Sequence, residues 1–138
     1  MTEITFEYWN KFAQQIITIS SVLGGFSIAV IANFLVSNLN TKLSKSIMAV
    51  STLAASFFLT TVFAMTNLLF KTTEGYPAKV VDNDLMIPSV VGGIAFYLGI
   101  ISLLAMISMS GWTKSKRMGR FTTILGIITL ILILLMTI

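Results

Sequence analysis

A chain of 138 residues, 56% of them hydrophobic and only 10% charged, with a mean hydropathy of +0.94, has too little polar surface for a water-soluble globule. It has no cysteine and no histidine, which removes disulfides, thiolate metal sites, imidazole haem ligation and the usual proton shuttle, and with them most enzymatic chemistry. The formal charge of +4 could mark a nucleic-acid partner, but in so apolar a chain its placement reads first as membrane topology.

The first eleven residues carry Glu3, Glu7 and Lys11 interleaved with Ile4, Phe6, Tyr8 and Trp9, the composition of a segment lying at headgroup level. A net acidic start followed by a run long enough to span is not the pattern of a secretory signal. The first span, residues 12–36, holds no charge, yet polar and small side chains return at every fourth position: Ser21, Gly25, Ala29, Asn33 and then Ser37. That spacing places them in one row along a helix, suited either to line a water-filled path or to let helices approach closely. An amide such as Asn33 facing hydrocarbon without a partner costs on the order of 2 kcal/mol or more, so the row should meet another helix or water.

A short turn with Lys42 and Lys45 leads to the second span, residues 46–70. Its own row of Thr52, Ser56, Thr60 and Ala64, with Asn67 three residues later, predicts that the first two helices face each other through these two rows. The connection over residues 71–85 contains Gly75, Tyr76 and Pro77 as turn signals, and its Asp82, Asn83 and Asp84 read as a solvated loop. Pro88 suits the first turn of a third helix over residues 88–111, with Gly92, Gly93 and Gly99 for close packing and Trp112 as interfacial anchor. Lys114, Lys116, Arg117 and Arg120 then form the most basic loop, and residues 121–138 give about 27 Å of uncharged helix, just enough to cross. The expected fold is a single all-α domain, an integral membrane four-helix antiparallel bundle.

Basic residues set the expected orientation. Lys42, Lys45, Lys114, Lys116, Arg117 and Arg120 lie on one side, against Lys11, Lys71 and Lys79 on the other, so the two basic turns are cytoplasmic and both termini outside, in the inner membrane if the source is bacterial. The basic face would also suit anionic lipid headgroups or a cytoplasmic anionic ligand. No span contains Asp, Glu, Lys, Arg or His, so a proton-coupled exporter, a voltage sensor and a haem anchor each lack the residue they depend on. The hydroxyls have no base beside them in sequence. No catalytic residue, metal ligand or cofactor is expected, and the chain is not read as an enzyme.

The pattern Leu23, Gly25, Phe26 and, seven residues on, Asn33 resembles the pore helix of the Orai calcium channels, which place a carboxylate where Asn33 stands. Phe63 to Met65 and Ser89 to Gly93 are similar in a looser way. Calcium selectivity is not implied, because the carboxylate is missing and the charge bias puts the first turn inside, opposite to that family. What the resemblance implies is architecture: a first helix innermost in a ring of subunits. The function expected is a homo-oligomeric pore or channel-like effector lined by the first helix. The alternatives are a non-conducting scaffold or accessory subunit that binds a partner protein, and an effector controlled by an anionic ligand at the basic face.

Overall fold

The computed structural model describes residues 5–37 and 40–138. It contains four long helices: α1 (Phe6–Val36), α2 (Lys42–Thr72), α3 (Asp82–Trp112) and α4 (Lys116–Thr137). All four are long and apolar enough to cross a membrane. The first three have 31 residues each, about 46 Å at 1.5 Å per residue, so they outreach a hydrocarbon core of about 30 Å and carry their charged ends into the headgroup layers.

The helices run further than the uncharged stretches because capping, and not hydropathy, decides where a helix begins. Thr5, Thr41 and Ser115 each accept a hydrogen bond through the side-chain oxygen from the N–H three residues on, at 3.2, 3.1 and 3.1 Å. Three expectations change accordingly. The aromatic start is the first two turns of α1, not a separate interfacial segment, and Glu3 and Ile4 lie outside the described residues. Asp82, Asn83 and Asp84 form the first turn of α3 in place of a loop. There Asp84 Oδ2 accepts from the Val81 N–H at 3.0 Å, and both carboxylates sit at the positive end of the helix dipole. Pro88 stands inside α3, beyond its first turn. Its missing N–H leaves the Asp84 carbonyl without its helical donor, and Lys71 Nζ at the end of α2 donates to that oxygen at 3.3 Å.

Each helix packs on its neighbour in sequence. α2 lies against both α1 and α3, α4 rests on α3 alone, and α1 scarcely touches α3. The buried positions of α2 step by three and four residues from Ser44 through Ile47, Ser51, Ala54, Phe58 and Thr61 to Thr72, and those of α3 do much the same. That alternation averages 3.5 residues and keeps one seam turned toward a partner.

Phe58 is the centre of the core. It is wholly buried, a Cβ built on Gly24 would stand 3.2 Å from its own Cβ, and one built on Gly99 would stand 2.9 Å from its ring. Glycine at both positions lets α1 and α3 approach this side chain closely, and Phe96 adds an edge-to-face contact with centroids 6.4 Å apart. The α3–α4 seam uses the same device: side chains on Gly111, Gly119 and Gly126 would strike Thr122, Trp112 and Ser108. Thr122 Oγ1 donates across the seam to the Ser108 carbonyl at 3.0 Å, and Trp112 Nε1 donates to Thr123 Oγ1 at 3.0 Å.

Candidate functional site: the polar rows of α1 and α2

In α1, Ser21, Gly25, Ala29 and Asn33 are all exposed, and a side chain built on Gly25 would meet nothing within 4 Å. The face against α2 is one residue away, at Ala13, Ser20, Gly24 and Ser27. A step of one residue turns a helix by about 100°, so the expected row lies well to the side of the true seam. Ser37 is half-buried at the C-cap, its hydroxyl donating to the Phe34 carbonyl at 3.2 Å.

The row of α2 behaves alike. Thr52, Ser56 and Thr60 are exposed, and each hydroxyl donates to the carbonyl four residues back at 2.8–2.9 Å, which satisfies the donor and leaves the oxygen lone pairs facing outward. Ala64 is half-buried toward α3, where a Cβ on Gly92 would come within 3.3 Å of its own. Asn67 is exposed and lines a cleft of about 540 Å³ with Lys71, Asn83, Asp84 and Pro88.

The two helices therefore do face each other, but not through the two rows. Their seam passes through Gly24 and Phe58, and both rows point away from it. Once the fold has assigned them, seam and row also differ in spacing. Positions 20, 24 and 27 alternate four and three, which holds a face toward one partner, whereas strict steps of four drift by about 40° each.

Further polar groups escaped the spacing argument. Gln14 and Thr18 are exposed on α1 and extend its polar face toward the outer end expected from the charge bias. Asn10 ties that end together, because its Nδ2 lies 3.3 Å from the Leu69 carbonyl and 3.2 and 3.1 Å from the hydroxyl oxygens of Thr72 and Thr73, where α2 runs out of helical donors. Gln14 Nε2 in turn donates to Asn10 Oδ1 at 2.9 Å. The wall continues into an open cleft of about 670 Å³ with Lys71, Glu74 and Tyr76. Asn33 is different: among the described residues its side chain has no hydrogen-bond partner, and neither has the fully buried Ser20 hydroxyl.

Lys42, Lys45, Lys114, Lys116, Arg117 and Arg120 are exposed at one end of the bundle, and none pairs with an acid; the ion pair found among the described residues is Glu7 with Lys11, at 3.0 Å. Five of the six stand in the first turns of α2 and α4 or their immediate continuation, where the helix dipole disfavours cations by about 0.3–1 kcal/mol each. Helix stability therefore does not explain their placement.

These features define an integral membrane protein of the four-helix class, with two uncovered polar rows inside its spans. Comparisons with protein-family models, curated proteins and solved structures gave no match.

Proposed function

We propose that this protein is the subunit of a homo-oligomeric membrane pore with α1 as its principal lining helix. The observation that carries the reading is that α1 turns Thr18, Ser21, Gly25, Ala29 and Asn33 away from its own subunit along most of the span. Such a face cannot be left to lipid without a cost at each unpaired polar group. Because the row drifts, no single neighbour can cover it all: its middle is small enough to pack, while Asn33 projects from the row's cytoplasmic end as the amide of a polar ring. Ile28 and Ala32, both exposed beside it, form the apolar turns that close the path by dewetting. The resemblance of the first span to the Orai pore helix supports the same architecture.

Asn33→Asp tests the lumen. A ring of carboxylates acts directly on a permeating ion, so purified protein in planar bilayers should show a several-fold rise in cation over anion permeability. In a non-conducting scaffold the same change buries unpaired charge and chiefly destabilises the fold. Silence from both the natural protein and Asn33→Asp, each folded and oligomeric under every voltage and ligand tried, would replace the pore by a scaffold that binds a partner protein.

The orientation proposed for this pore has both termini and the α2–α3 connection outside, and the six basic residues in the cytoplasm facing anionic headgroups. In a bacterium the membrane would be the inner one. In intact cells, Tyr76→Cys should react with a membrane-impermeant thiol reagent and Ser115→Cys should not; the reverse pattern inverts the topology.

A further inference from the structure

The two uncovered rows occupy the same depths. Asn10 of α1 is level with Thr72 of α2, and Gly24 is level with Phe58, so fourteen residues along one helix match fourteen back along the other and the register is uniform between these anchors. At that register Ser21 stands level with Thr60, Gly25 with Ser56 and Ala29 with Thr52, each within one residue, or about 1.5 Å. Gln14 falls level with Asn67 in the same way. The rungs share both spacing and height, yet in one subunit they cannot meet, because each lies off the seam that joins the helices.

From this we infer that a second copy of the chain covers them: the α1 row of each subunit packs on the α2 row of the next. Copies related by rotation about the membrane normal keep every residue at its depth, so the rung-for-rung match within one subunit carries over to the neighbour's α2. The chemistry is complementary as well. Gly25 and Ala29 offer small surfaces to the hydroxyl oxygens of the neighbouring copy's Ser56 and Thr52, and the Ser21 hydroxyl has the Thr60 oxygen to donate to. Repeated in one direction, α1 of each subunit on α2 of the next, the contact is heterologous and propagates around a ring. Asn33 is the exception that fits. The α2 residues at its level are Met48 and Ala49, which offer no side-chain hydrogen bond, so its amide is left for the lumen.

This inference rests on the homo-oligomer proposed above, and cross-linking of the full chain in its native membrane tests it apart from conduction. The protein has no cysteine of its own. Two differently tagged copies, one with Gly25→Cys and one with Ser56→Cys, are expressed together and oxidised with copper phenanthroline; Ala29→Cys with Thr52→Cys repeats the test one rung lower. Each pair should give a mixed dimer, neither variant alone should do so, and a chain carrying both cysteines should give a ladder of bands ending at the closed ring. Self-dimers of Gly25→Cys would mean that α1 meets α1 and would overturn the inference. So would an oligomer of unchanged size that neither pair cross-links, by oxidation or by a short bifunctional thiol reagent. A cross-linked but non-conducting protein keeps this interface and loses the pore, and a conducting protein with α1–α1 cross-links does the opposite.

Discussion

Phe58→Ala should destabilise the protein by about 3–5 kcal/mol, the range for removing a large buried aromatic side chain that its surroundings cannot fill. Here collapse is hindered from both sides. The Phe58 ring lies against Gly99 and beside Phe96, and its Cβ against Gly24, so the cavity opens at both seams of α2 at once and glycine has no side chain to move in. Lipid cannot reach the site to replace the lost contacts, since Phe58 is wholly buried. Phe63→Ala, the same truncation five residues on, is the control: Phe63 is 69% exposed on the surface of its subunit, so its loss should cost the subunit's own stability no more than about 0.5 kcal/mol. Unfolding of both variants in mixed micelles or bicelles gives the comparison. Equal effects would mean that α1 and α3 do not meet α2 through this residue.

Two adjacent glycines should give opposite outcomes when replaced by leucine. At Gly24 a Cβ would already stand 3.2 Å from that of Phe58, so the rest of a leucine side chain forces α1 off α2 and the subunit itself is destabilised, by about 1–3 kcal/mol or more. At Gly25 the subunit offers open space, so Gly25→Leu should leave its stability unchanged and separate the assembled copies into monomers. Size measurement in mild detergent reads the second effect and an unfolding curve the first, so neither is mistaken for the other. An intact oligomer of Gly25→Leu refutes any packing role for the α1 row, and a fully stable Gly24→Leu refutes the α1–α2 seam.

The number of helices, their antiparallel order and their fitness for a membrane were legible in the sequence, because they depend on what each stretch is made of. A run of 25 residues without charge, such as 46–70, cannot stay in water whatever its neighbours are. Helix ends were less legible: α1 reaches back to Phe6 and α3 to Asp82 through charged residues, since a threonine cap or an aspartate at the first turn starts a helix as well outside the hydrocarbon as within it.

Which side of each helix meets which was decided only by the tertiary structure. Small and hydroxyl residues occur both in the seam, at Ser20, Gly24 and Ser27, and in the uncovered row, at Ser21, Gly25 and Ala29, so residue type does not separate the two. One residue turns the helix by about 100°, and what selects Gly24 over Gly25 is a partner far along the chain: the Phe58 side chain, which needs bare backbone facing it from α1 and, at Gly99, from α3. A seam is a property of two surfaces fitted together. Apolarity belongs to each residue by itself, which is why the spans could be read without the fold and the faces could not.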